Sequence, residues 1–196
     1  MKHPFLLAFL FFSIVVKAQE TESSGRRGLG KGQYIIGLYG SGGFNNSPVY
    51  KHPKWALSPW AGYFVGNNLA TGLRMSFGKD AMELKSGSTG NIWEYNHKSV
   101  APEVFVRYYA PGIKIKPFVQ VAAGYNFQWG ETENTEGQMQ KVKDSHVIGS
   151  VEGGIRFPVG KKLSIDAAYN WRFSPKSVLN DANEKGRIRL GLSFRL

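Results

Sequence analysis

The stretch from Arg187 to Leu196 constrains the fold of this chain more than any other. Ile188, Leu190, Leu192, Phe194 and Leu196 fall on one face of a strand, and Arg187, Arg189, Gly191, Ser193 and Arg195 fall on the other. Side chains alternate along a strand with period two, so this segment has one oily face and one arginine-bearing face. The same division recurs upstream. Leu163, Ile165, Ala167, Tyr169, Trp171 and Phe173 oppose Ser164, Asp166, Ala168, Asn170 and Arg172. Val119, Val121, Ala123, Tyr125, Phe127 and Trp129 oppose Gln120, Ala122, Gly124, Asn126 and Gln128. In a soluble sheet the charged face would meet water. With large aromatics on the oily side of strand after strand, the pattern suits a closed barrel with an apolar exterior and a polar filling.

The N-terminus sets the compartment. Lys2 precedes a dense apolar run from Phe5 to Phe12, continued by Ile14-Val15-Val16, and Val16-Lys17-Ala18 presents a cleavage pattern before Gln19. Residues 1–18 read as a secretory signal peptide cut between Ala18 and Gln19. The run is too short for a spanning helix of about 20 residues, and no later segment repeats it. There are no cysteines, so disulfides and thiolate metal sites are excluded. The formal charge is +11. For an exported chain this excess points to an anionic membrane surface or an interior arginine cluster rather than nucleic acid. The mean hydropathy of −0.29 suits a barrel, since only alternate residues touch lipid.

Residues 19–31 read as a flexible, polar, Gly-rich leader, and residues 32–196 as one barrel domain. Eight strand-like segments follow one another: Gln33–Phe44, Ala56–Val65, Leu69–Lys79, Ser99–Ala110, Lys114–Trp129, Ser145–Val159, Leu163–Ser174 and Gly186–Leu196. Three connections are short and carry turn chemistry: Gly66-Asn67-Asn68, Pro111-Gly112-Ile113 and Gly160-Lys161-Lys162. Four are longer and polar: Asn45–Trp55, Asp80–Lys98, Gly130–Asp144 and Pro175–Lys185. Short turns on one rim and long loops on the other are the rhythm of an all-β, eight-stranded, antiparallel up-and-down transmembrane barrel. An even strand number leaves both termini on the short-turn side.

This rhythm, the stretch Pro59-Trp60-Ala61-Gly62-Tyr63-Phe64 before an Asn-Asn turn, and the alternating C-terminal strand resemble the small outer-membrane barrels of the OmpA/OmpX type. The resemblance covers about Gly32 to Leu196. It implies a cell outer-membrane location with periplasmic termini, and contact with outer-membrane lipids, lipopolysaccharide and the barrel assembly machinery. Such barrels usually end on an aromatic residue that this machinery reads. Here Leu196 is last, and Phe194 stands two positions earlier.

The inward set then holds Arg74, Glu103, Arg107, Glu152, Arg156, Asp166, Arg172, Arg187 and Arg189. Isolated charges in a narrow lumen are costly, so these should pair or stay wetted. Eight strands leave room only for side chains, which favours a packed polar core over a solute path. Gly62, Gly72, Gly124, Gly154 and Gly191 fit the small radius. The long-loop lysines, among them Lys79, Lys98, Lys141 and Lys143, are candidates for contact with lipopolysaccharide phosphates. Asp144-Ser145-His146 resembles part of a catalytic triad, but neighbours on a strand point to opposite faces. No cofactor or metal is indicated. The expected role is that of a monomeric structural or interaction barrel presenting four loops. A lipid A-modifying enzyme and a narrow solute channel are the alternatives. A soluble lipocalin-like carrier would instead be released from the membrane.

Overall fold

A computed structural model describes residues 29–46, 50–85, 92–111, 114–133, 138–173 and 187–196. The segment read as a signal peptide, the Ala18–Gln19 cleavage position and most of the leader lie outside the described residues. Eight antiparallel strands close into one barrel in sequence order. They are β1 (Tyr34–Asn46), β2 (Tyr50–Gly66), β3 (Leu69–Lys85), β4 (Ile92–Tyr109), β5 (Lys116–Glu133), β6 (Met139–Pro158), β7 (Leu163–Phe173) and β8 (Arg187–Arg195). Closure is made by β8 on β1, from Arg195 opposite Ile35 to Leu190 opposite Gly40. Closure leaves no open sheet edge, which is a condition for crossing a bilayer with strands.

The alternation read from the sequence is realised with the oily face outward. Leu73, Val104, Ile188 and Leu190 are 66%, 58%, 71% and 62% exposed, whereas Asp166, Arg107 and Glu152 are 0%, 1% and 1% exposed. A water-soluble fold would show the reverse. Tyr34 packs against Tyr63 at 5.0 Å on the outer face near the short-turn rim. Trp55, Trp129 and Trp171 lie outward toward the other rim.

The short connections stand where the turn chemistry puts them. β2 and β3 are joined by Asn67-Asn68, with Asn68 at φ 62°, a left-handed conformation that asparagine tolerates. Residues 159–162 join β6 to β7; of the expected Pro111-Gly112-Ile113 turn between β4 and β5, residues 112 and 113 lie outside the described residues.

Three of the four long connections are shorter than expected. Pairing of β1 with β2 continues to Asn46 opposite Lys51. That of β3 with β4 continues to Lys85 opposite Ile92, and that of β5 with β6 to Glu133 opposite Met139. Much of Asn45–Trp55, Asp80–Lys98 and Gly130–Asp144 is therefore strand, not loop. These extensions carry no sustained oily alternation, because they rise beyond the apolar band. Ladder pairing carried up from the band holds them in place. β7 and β8 are described over 11 and 9 residues, and the expected loop Pro175–Lys185 between them lies outside the described residues.

The short-turn end is filled from below. Leu29 is buried there, its carbonyl accepts from the Asn68 amide at 2.8 Å, and the Gly32 amide donates to the Phe64 carbonyl at 2.9 Å. Residues 29–31, the last of the leader, are thus held against the barrel end.

Candidate functional site: the sealed interior and its basic rim

Interior side chains are placed by strand register. Arg74 on β3 lies directly opposite Glu103 on β4, and Arg156 on β6 opposite Asp166 on β7. Gln120 on β5 sits between Arg107 on β4 and Glu152 on β6. Because all these positions have the same inward parity, one closed cylinder gathers them from five strands.

Glu152 is the centre of the network. Its Oε2 accepts from Arg74 Nη1 at 2.9 Å and from Asn170 Nδ2 at 3.2 Å. Arg189 Nη1 stands 3.5 Å from the same oxygen, and Arg107 Nη2 donates to Oε1 at 3.5 Å. The Arg74 bond crosses the lumen from β3 to β6. Glu103 Oε2 accepts from Arg74 Nη2 at 2.6 Å, and its Oε1 accepts from Ser76 Oγ at 3.0 Å and Arg172 Nη2 at 3.3 Å. Asp166 accepts from the Tyr39 hydroxyl at 3.3 Å and lies 3.8 Å from Arg107 and 4.0 Å from Arg156. The Tyr109 hydroxyl accepts from Arg107 at 3.2 Å and from Arg156 at 3.3 Å. Arg187 is half-buried and lines a cavity with Arg172 and Arg189. The structure thus brings eight of the nine interior charges read from sequence into one ion-pair network, with Arg187 at its margin.

Alternation within the network keeps charge from standing alone. Buried ions are costly to desolvate, and good geometry with several hydrogen bonds per group offsets that cost. Arginine suits the task, since its fork serves two acceptors at once, as Arg74 does for Glu103 and Glu152.

A second layer, of aromatic rings, closes the short-turn half. Arg107 is sandwiched with its guanidinium carbon 4.3 Å from the Phe118 ring centre and 4.5 Å from that of Trp60. Trp60 stacks on Tyr39 at 6.0 Å and meets Phe105 edge-on at 5.8 Å. Tyr109 contacts both Phe64 and Phe118. Four of these rings lie over a glycine of an adjacent strand: Trp60 over Gly37, Phe105 over Gly72, Phe118 over Gly154 and Tyr39 over Gly191. A Cβ at any of these four glycines would collide with the ring. The inward aromatics Tyr39, Trp60 and Phe64 escaped the sequence reading. Their signal was the parity of β1 and β2 counted back from the Asn67-Asn68 turn, which puts Ser58, Trp60, Gly62 and Phe64 on one face.

Asp144 and His146 share the inner face, with His146 Nδ1 3.2 Å from Asp144 Oδ2. Ser145 points outward and meets the Tyr125 hydroxyl at 3.4 Å. The contiguous trio therefore divides across the wall.

On the outer face, Lys79 of β3 lies directly opposite Lys98 of β4. Trp55 is opposite Lys79 on one side, Trp129 opposite Lys98 on the other, and Lys143 opposite Trp129. Like charges facing each other across a ladder repel. The pair stands between the outward-facing Trp55 and Trp129.

The family profile described as Outer membrane protein beta-barrel domain matches residues 5–195. The chain belongs to this family. It is an outer-membrane β-barrel protein. No curated protein matches it. Among solved structures, the outer membrane protein OprG from Pseudomonas aeruginosa is similar with a TM-score of 0.52 and 11% identity, over 86% of this chain and 98% of that one. A major outer membrane protein from Thermus thermophilus aligns with a TM-score of 0.52 and 13% identity, over 84% and 99%. Ail, the attachment invasion locus protein of Yersinia pestis, in complex with the heparin analogue sucrose octasulfate, gives 0.50 and 16%, over 85% and 99%. At these identities the likeness is one of fold. The outer-membrane family accounts for the inverted burial: the exposed leucines and valines face acyl chains.

Proposed function

We propose that this outer-membrane barrel is a non-conducting structural and interaction module, held at its long-loop rim by lipopolysaccharide and presenting that rim outside the cell. The opposed Lys79–Lys98 pair between Trp55 and Trp129 carries the reading. Two lysines set opposite each other at an apolar boundary favour phosphate between them, and phosphate on a lipid is what that leaflet offers. With the long-loop rim outward, the short turns and both termini face the periplasm. The extended strands β2–β6 then raise a crown above the membrane for an external partner. The aromatic layer and the Glu152 network fill the lumen, which supports an anchoring role over transport.

Two measurements test this. Lys79→Gln with Lys98→Gln should weaken binding of purified barrel to lipopolysaccharide about thirtyfold, on the order of 1 kcal/mol per charge for two charges; unchanged binding rejects the lipid contact. The chain has no cysteine, so single introduced thiols report orientation cleanly. On intact cells an impermeant maleimide should label Lys141→Cys and spare Lys161→Cys, and the reverse pattern inverts the topology.

A further inference from the structure

The ladder of the barrel wall is interrupted in two places within the apolar band. Pairing of β2 with β3 passes from Leu57 opposite Phe77 to Trp60 opposite Arg74 and leaves out Ser58 and Pro59. Pairing of β4 with β5 passes from Val100 opposite Phe127 to Glu103 opposite Gly124 and leaves out Ala101 and Pro102. Each break holds a proline, which has no N–H to give. Successive residues of a strand turn their amides to opposite neighbours. The Phe64 amide donates toward β1, to the Gln33 carbonyl, so position 59 turns toward β3. The Ala110 amide donates toward β5, to the Pro117 carbonyl, so position 102 turns toward β5. Each proline therefore removes a rung on the side where its ladder is broken.

The two breaks flank the β3–β4 pair, in which Met75 stands opposite Pro102. A groove of about 630 Å³ lies there on the outer face, lined by Pro59, Met75, Pro102 and Tyr125, with Ala61 and Ala123 beside them. Gly124, which has only backbone to offer, also lines it, so the groove reaches down to the wall itself. Register fixes its position. Met75 and Pro102 are four residues from the opposed Lys79 and Lys98 on the same two strands, about 13 Å along the ladder toward the short turns. We infer that this groove seats one acyl chain of the lipopolysaccharide molecule whose phosphate lies at Lys79 and Lys98. The inference rests on the lipid contact proposed above and says where the tail of that lipid goes. Inside a bilayer no hydrophobic force drives a chain onto an apolar wall, and close packing is what holds it. A concave surface touches a chain on several sides where a convex one touches it on one, so dispersion favours the groove. The short side chains of Ala61 and Ala123 let the chain approach. A full ladder would draw the strands together, so the two prolines keep the seat open, and the lysines choose the lipid by holding its phosphate above it.

Ala61→Phe with Ala123→Phe fills the groove with apolar side chains and leaves both lysines in place. Ala167→Phe, on the outer face of β7 beside Leu190, is the control. The purified barrels are titrated with intact lipopolysaccharide and with the same material stripped of its acyl chains. The filled-groove variant should bind the intact form about threefold more weakly than wild type and the stripped form equally well, while the control matches wild type with both. Lys79→Gln with Lys98→Gln should weaken binding of both forms. In the wild-type barrel, which needs no variant to fold, lipopolysaccharide bearing a diazirine on an acyl chain should crosslink chiefly to peptides containing Met75, Pro102 or Tyr125. Loss in the lysine variant with undiminished binding to the filled groove overturns the seat and leaves the rim contact standing. Loss in the filled-groove variant alone upholds the seat and removes the lysine contact. Crosslinks spread evenly around the barrel overturn the seat as well.

Discussion

Glu152→Gln should destabilise the barrel by about 3–5 kcal/mol, the penalty of removing one partner from a buried ionic cluster. The substitution keeps the side chain's size and one carbonyl. It removes the charge that Arg74, Arg107 and Arg189 share, and it turns an amide N–H toward guanidinium donors. Three buried cations would then depend chiefly on Glu103 and Asp166. Reversible urea unfolding in lipid vesicles measures the loss, and a cycle with Arg74→Met separates the pair from the rest. The double variant should recover part of the loss, because removing both partners leaves fewer orphaned charges. A Glu152→Gln barrel whose stability matches wild type would show that water, not this carboxylate, carries the arginines.

Gly72→Ala should be the most damaging single-methyl addition. A Cβ there would strike the Ala61 carbonyl and come within 2.7 Å of Gly62 Cα and 2.8 Å of the Phe105 ring. Two of these are backbone atoms, which cannot swing away, so β2 and β3 would have to separate. The expected cost is about 3 kcal/mol, the upper part of the overpacking range, with assembly slowed or lost. Gly153→Ala is the control. It faces outward with nothing within 4 Å of an added Cβ, and should fold as wild type. Heat-modifiable migration on gels and unfolding midpoints compare the two. Equal behaviour would mean that the barrel wall is looser at Gly72 than its packing shows.

Both expectations follow from the narrowness of an eight-stranded cylinder. Its interior holds side chains and little else. Glycine beneath each large ring lets Trp60, Phe105, Phe118 and Tyr39 lie against the wall, and the space they leave is taken by the arginine–carboxylate network.

Strand count, faces and compartment were legible because each rests on local chemistry. Alternation in β5–β8 names the inward residue at every second position, and Asn67-Asn68 or Gly160-Lys161 marks a turn without reference to distant residues. Interior charges could be named one by one for the same reason. Extensions such as Glu131–Glu133 and Lys141–Asp144 were read as loop, since polar residues on both faces give no periodic signal once a strand leaves the membrane. Only the ladder with its neighbour makes them strands.

The sequence by itself determined that this is an inverted barrel and which side chains enter it, because parity along a strand is a property of consecutive residues. Who meets whom inside was decided only by closure. Arg74 reaches Glu152 across the lumen, Arg107 slides between Trp60 and Phe118, and Lys79 comes to stand opposite Lys98, through a register that is set when β8 returns to β1. Inter-strand stagger is a collective quantity of the whole cylinder, and no single strand contains it.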